Sequence, residues 1–94
     1  MAKHYHLIGI GGIGMGTLAS LLLDQGHRVS GSDVKENELT LGLKKKGATI
    51  KIGHDASNVK DANYVVYSSA IRVNNPELIE AESRNIPVLR RAEE

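Results

Sequence analysis

Residues 7–23 carry no charged side chain, yet five of these seventeen residues are glycine. Read from His6, the stretch is HLIGIGGIGMGTLASLLL. Glycine loses more conformational freedom on folding than any other residue, so its concentration in the most apolar stretch needs a structural reason. A membrane span does not supply one, because the run is short and its glycines would leave a helix poorly packed in lipid. A signal peptide does not either: Lys3 precedes the run, but no convincing small-residue cleavage site follows it. The stretch divides instead into a strand, a turn and a helix. Residues 5–10 are apolar enough for a strand buried on both faces. Met15, Leu18, Ala19 and Leu22 then recur at i, i+3, i+4 and i+7, which is helical spacing, and Gly26 suits a left-handed helix stop.

The same alternation continues along the chain. Residues 29–33 read as a second strand, and residues 38–46 as a helix with Leu39 and Leu43 on one face and Gly47 as terminator. Lys44, Lys45 and Lys46 fall in its last turn, where cations meet the negative end of the helix dipole; a basic patch for a phosphate partner is the rival reading. Residues 49–52 form a third strand and YVVYSS, from Tyr64, a fourth. Asn75 and Pro76 suit the N-cap and first position of a helix that buries Leu78, Ile79 and Ala81. Pro87, Val88 and Leu89 give a short fifth strand, and the charged RRAEE leads beyond it. Strands joined through helices imply parallel neighbours and right-handed crossovers. The expectation is one α/β domain over residues 1–94: Rossmann-like, three-layered, with a five-stranded parallel sheet and helices on both faces.

Composition narrows the function. The 94 residues carry 12 Lys and Arg against 11 Asp and Glu, with no basic face or tail. Nucleic acid and membrane are therefore not expected as partners. The absence of cysteine excludes disulfides, thiolate catalysis and cysteine zinc sites, and fits a reducing cytoplasm. Phe and Trp are absent, so the core must be aliphatic and base stacking on aromatics is not expected.

Residues 9–14 spell GxGxxG between a predicted strand and a predicted helix, the context that gives the pattern meaning. Glycines there permit a tight turn, close approach of a pyrophosphate to backbone N–H groups, and close helix packing. The helix N-terminus adds donors and partial positive charge. A purely structural packing joint is the alternative. Asp33 lies nineteen residues after Gly14, where an acid can accept from ribose hydroxyls; it could instead cap a turn, in a box with Glu36. Gly31 and Ser32 would let the chain turn near the crevice. Ser68, Ser69 and Ala70 end the fourth strand, and His54 follows the third on the same rim. His4 and His6 lack a third metal ligand with sensible spacing and read as strand residues; His27 sits in a turn and has no assigned role. No metal is expected, and neither a GxxxxGK[ST] loop nor a nucleophile–base–acid set is present.

HLIGIGGIGMGTLA, VSGSD, IGH, SSAI, NPEL and IPVLRRAE, taken together and in order, resemble the N-terminal domain of the Mur ligases of peptidoglycan synthesis over nearly the whole chain. The resemblance implies a cytoplasmic three-domain enzyme whose first domain binds the UDP moiety of UDP-N-acetylmuramic acid. Its central domain would bind ATP and Mg²⁺, its third would receive the amino acid, and neither is expected here. An acyl phosphate of the muramoyl carboxylate would be attacked by an L-alanine amine, so this domain alone should not ligate and should hold no catalytic residue. By resemblance, Gly11, Gly12, Ile13 and Gly14 face the diphosphate, Ser32, Asp33 and His54 surround the uridine, and Ser68, Ser69 and Ala70 close the opposite wall. Gly16-Thr17 stands where the family often has serine and a small residue, leaving open the branch that recycles murein tripeptide. An NAD-binding dehydrogenase domain and a nucleotide sensor regulating a transporter are the rival functions.

Overall fold

The computed structural model describes residues 2–91. Strands β1 (His4–Ile8), β2 (Arg28–Asp33), β3 (Thr49–Ile52), β4 (Tyr64–Ser68) and β5 (Val88–Arg91) form one sheet in the order β3-β2-β1-β4-β5. Every neighbouring pair is parallel. Helices α1 (Ile13–Asp24), α2 (Glu38–Lys46) and α3 (Pro76–Ser83) join the strands, except that β3 reaches β4 through a single 3-10 turn at Ala56–Val59. The five-stranded α/β fold expected from the sequence is the fold observed. Of the charged tail, residues 92–94 lie outside the described residues.

The core has two halves. Leu7, Met15, Ala19, Leu43 and Val66 bury between the sheet and α1 with α2. Ile8, Val59, Val65, Leu78 and Ala81 bury on the opposite face, under α3 and the 3-10 turn. Leu39 and Ile79 stay about half exposed, contrary to the sequence expectation. α2 and α3 are only nine and eight residues long and each buries one narrow line, Thr40 and Leu43 in α2 and Glu77, Leu78 and Ala81 in α3.

Local chemistry sets the helix ends. Asn37 caps α2: its Oδ1 accepts from Thr40 N, and Thr40 Oγ1 accepts from Asn37 N, both at 2.9 Å. The capping box therefore lies four residues beyond the Asp33–Glu36 alternative; Glu36 instead pairs with Lys44. Lys46 pairs with Asp24, so two members of the rival basic patch are neutralised locally. Gly47, at φ +115°, ends the helix in the left-handed conformation. Asn75 caps α3 through Glu77 N at 2.9 Å, with Pro76 in the first turn, as the sequence predicts.

β1 stops at Ile8 rather than at residue 10, because Gly9 turns the chain at φ +81°. Ile10 then folds its side chain back over β2. Gly31 does not turn the chain near the crevice; it lies within β2, paired to Leu7 and Ile50. A Cβ there would sit 2.5 Å from Ile10 Cδ1 and 2.6 Å from Ile10 Cβ. The missing side chain of Gly31 is the space that Ile10 fills. Overpacking this contact with Gly31→Ala is expected to cost about 1–3 kcal/mol, or roughly 5–20 °C in Tm for a domain this size. Thermal unfolding by circular dichroism measures it; an unchanged Tm would show that Ile10 does not occupy the space.

Candidate functional site

The strand order reverses direction at β1, whose neighbours are β2 and β4, so the C-terminal ends of β1 and β4 flank the topological switch point. The glycine turn lies there and is tied down from β2. Gly9 N and Ile10 N both donate to Ser32 O, at 2.8 and 3.0 Å. Gly11 N donates to Asp33 Oδ2 at 2.8 Å, and Val34 N to Asp33 Oδ1 at 2.7 Å. A Cβ on Gly11 would lie 2.7 Å from Asp33 Oδ2 and 3.1 Å from Asn37 Nδ2, so glycine is what allows Asp33 to grip the turn.

Gly12 N donates to Gly9 O at 3.1 Å, and Gly12 then serves as the N-cap of α1 without any side chain to cap it. The first helical bond runs from Gly16 N to Gly12 O. The amides of Ile13, Gly14 and Met15 therefore have no acceptor within the helix, at its electropositive end. Of the four positions expected to face a diphosphate, Ile13 and Gly14 keep their N–H groups available, while Gly11 and Gly12 use theirs to build the turn.

Beside the turn a recess of about 480 Å³ opens, lined by Val34, His54, Ala70, Ile71, Arg72 and Asn74, with Asn75 and Pro76 at its margin. It brings together His54 and Ala70 from the sequence-derived set. Ser68 is buried, and its Oγ accepts from Ala70 N at 3.3 Å. Ser69 N donates to Arg91 O at 3.1 Å, fastening the strand end to β5. Arg72 and Asn74 went unread in the sequence; the signal was a cation and an amide in the loop just past Ser68–Ala70.

Ser32 lies beneath the rim, with no exposed surface. It belongs to a hydrogen-bonded cluster centred on Glu77, which also has no exposed surface. Glu77 Oε1 accepts from His6 Nε2 at 2.6 Å and from Ser32 Oγ at 2.7 Å. Its Oε2 accepts from Asp55 N at 3.0 Å and Asn58 Nδ2 at 2.9 Å. His54 Nδ1 lies 2.8 Å from Ser32 Oγ and 3.6 Å from Glu77 Oε2. On the other side, His6 Nδ1 meets Ser30 Oγ at 2.8 Å, His4 Nε2 meets the same oxygen at 2.7 Å, and His4 Nδ1 donates to Asp61 O at 3.0 Å.

Burial opposes charge on Glu77, but the hydrogen bonds from His6, Ser32 and Asn58 and the nearby His6 charge outweigh it, and the carboxyl is held down to about 2. Glu77 is thus ionised, and a proton count follows. The chain from Asp61 O through His4, Ser30 and His6 to Glu77 contains four hydrogen bonds between two terminal acceptors. Two neutral rings and one hydroxyl supply only three hydrogens. A fourth is needed on the imidazole pair. Burial pushes the His4 pKa down, with Arg28 and His6 adding to the effect against the Asp61 contacts. The His pair is therefore a counter-charge for Glu77. Among the described residues, no three His, Asp or Glu side chains gather as metal ligands.

A glycine turn that opens an uncapped helix at the switch point of a parallel β3-β2-β1-β4-β5 sheet defines a Rossmann-like α/β domain. The family model described as "Mur ligase family, catalytic domain" matches residues 4–93, and the chain belongs to the Mur ligase family. It is 57% identical, over 97% of its length, to a UDP-N-acetylmuramate–L-alanine ligase of Aquifex aeolicus, of which it covers 20%. The crystal structure of a UDP-N-acetylmuramate–alanine ligase from Thermotoga maritima superposes with TM-score 0.90 at 37% identity, covering 95% of this chain and 21% of that one. A UDP-N-acetylmuramate:L-alanyl-γ-D-glutamyl-meso-diaminopimelate ligase from Neisseria meningitides gives TM-score 0.86 at 28% identity, over 96% and 29%. The chain spans about a fifth of the length of the curated relatives it matches.

The Glu77 cluster makes stability depend on acid. The folded carboxyl, at about 2, lies below its ordinary value of 4.5. Its contribution is fully present above pH 4.5 and is lost as pH falls from 4.5 towards 2, about 3 kcal/mol in all. His4, lowered from 6.5, adds a second loss as pH falls below 6.5, because the unfolded ring takes up the proton more readily. Urea midpoints measured from pH 7 to 2 should decline accordingly. In Glu77→Gln the segment below pH 4.5 should flatten; an identical profile in the two proteins would remove Glu77 from the account.

Proposed function

We propose that this chain is the UDP-binding domain of a cytoplasmic, ATP-dependent ligase that joins L-alanine to UDP-N-acetylmuramic acid in peptidoglycan synthesis. One observation carries the reading: the uncapped start of α1 after the glycine turn, at the switch point, in a chain 57% identical to an enzyme of that name. Bare amides at Ile13 and Gly14 suit the diphosphate. The adjoining recess, with His54, Ala70 and the cation Arg72, suits the nucleoside and its first phosphate. Asp33 and Ser32 act from behind: Asp33 grips the turn, Ser32 orients His54.

ATP and Mg²⁺ do not fit the described residues, which gather no metal-ligand group and hold no lysine-bearing phosphate loop. In this reading both are held by parts of the parent enzyme outside this chain, as is the amino-acid pocket, and the domain binds without ligating. No helix among the described residues is long and apolar enough to cross a membrane. The murein tripeptide ligase is the second reading, supported by the TM-score of 0.86 with the Neisseria enzyme. The rim residues serve either, because both substrates carry UDP.

Amide shifts followed during titration test the proposal. UDP should move Ile13, Gly14, His54 and Ala70 together, and NAD should not. Arg72→Ala should weaken UDP binding about tenfold, in the range of one charge-assisted hydrogen bond. Stationary resonances in saturating UDP, or movement with NAD instead, would overturn it.

A further inference from the structure

We propose that Glu77 is a positioning residue of the rim: through Ser32, its buried carboxylate fixes which nitrogen of His54 carries hydrogen, so that the ring presents a lone pair to a donor on the nucleoside. The inference rests on the reading that a uridine nucleotide occupies the recess. Ser32 Oγ has one hydrogen, and it is directed to Glu77 Oε1 at 2.7 Å. Turning it towards His54 would leave hydroxyl and carboxylate lone pairs facing each other at that distance. Ser32 Oγ can therefore only accept from His54 Nδ1, at 2.8 Å, and Nδ1 must carry the hydrogen. In the neutral imidazole the other nitrogen, Nε2, is then an acceptor.

The other carboxylate oxygen holds the loop that carries the ring. Glu77 Oε2 accepts from Asp55 N, directly after His54, and from Asn58 Nδ2 in the 3-10 turn. The same oxygen lies 3.6 Å from His54 Nδ1, too far for a hydrogen bond yet close enough to favour hydrogen on that nitrogen. His54 lines the recess, its side chain only 17% exposed. A phosphate oxygen brought to Nε2 of the neutral ring would set lone pair against lone pair. His54 thus selects a donor, and a uridine nucleotide offers two kinds: the uracil N3–H and the ribose hydroxyls.

The test uses the chain of 94 residues. Long-range ¹⁵N spectra of the wild type should show His54 with hydrogen on Nδ1; hydrogen on Nε2 alone overturns the proposal. Calorimetric titrations then compare UDP, 2′,3′-dideoxy-UDP and N3-methyl-UDP. The analogue lacking the donor that His54 accepts should bind about tenfold more weakly, the worth of one hydrogen bond, and its identity names the donor. Glu77→Gln and Ser32→Ala should each lose that factor towards UDP and nothing further towards that analogue. Ser32→Ala keeps the Glu77 charge and so serves if Glu77→Gln does not fold. Equal weakening for all three nucleotides would make Glu77 merely structural and overturn the proposal. Wild-type binding of UDP unaffected by either analogue would overturn it while leaving the UDP reading intact. No binding of any of the three would remove that reading, and this inference with it.

Discussion

An ionised carboxylate with no exposed surface survives only when its lone pairs are answered by donors and its charge by a counter-charge. Glu77 has four donors from four places in the fold: β1 through His6, β2 through Ser32, the backbone at Asp55 and the 3-10 turn through Asn58. One side chain in the first turn of α3 therefore locks that helix to two central strands and to the loop carrying His54. The helix is only eight residues long, too short to persist by its own propensity. Its position is set by Leu78 and Ala81 below and by this polar lock at its start.

The same geometry explains the glycine turn. A strand, a sharp turn and a helix could be joined in many ways, and a flexible turn would hold no ligand in register. Here the turn is pinned at three amides by a single partner strand, through Ser32 O and Asp33 Oδ2. Glycine at position 11 admits the Asp33 carboxylate, and glycine at position 31 admits the Ile10 side chain. The flexibility of these residues is used up by specific close contacts. What remains unengaged is the first turn of α1, which is the feature suited to an anion.

Much of this was legible in the chain. The strand and helix order followed from periodicity, and the bounds of α2 and β3 from Gly47 and its neighbours. The glycine turn was legible because GxGxxG lay between a strand and a helix. Glu77 was not, because an acid after Asn-Pro at a helix start is explained well enough by capping and the helix dipole. The clue lay elsewhere, in alternate positions of two strands. His4 and His6 share one face of β1, and Arg28, Ser30 and Ser32 share the adjoining face of β2. A polar face in the middle of a sheet demands a partner, and a buried acid is the group that completes it. No spacing rule could have named which acid, since Glu77 is seventy-one residues from His6.

In the proposed reading, structural and ligand-directed roles overlap in this small domain. With so short an aliphatic core, the chain relies on the polar cluster for part of its stability, and the cluster reaches the recess at His54. On that reading, removing Ser32 or Glu77 would disturb folding and recognition together, so weaker binding alone does not distinguish the two. The distinction lies in selectivity. Loosening of the fold weakens every nucleotide alike, whereas a displaced proton on His54 changes which hydrogen-bonding groups the rim accepts. In the proposed reading, the arrangement of hydrogens between Glu77, Ser32 and His54, more than the shape of the recess, ties this fold to a particular ligand.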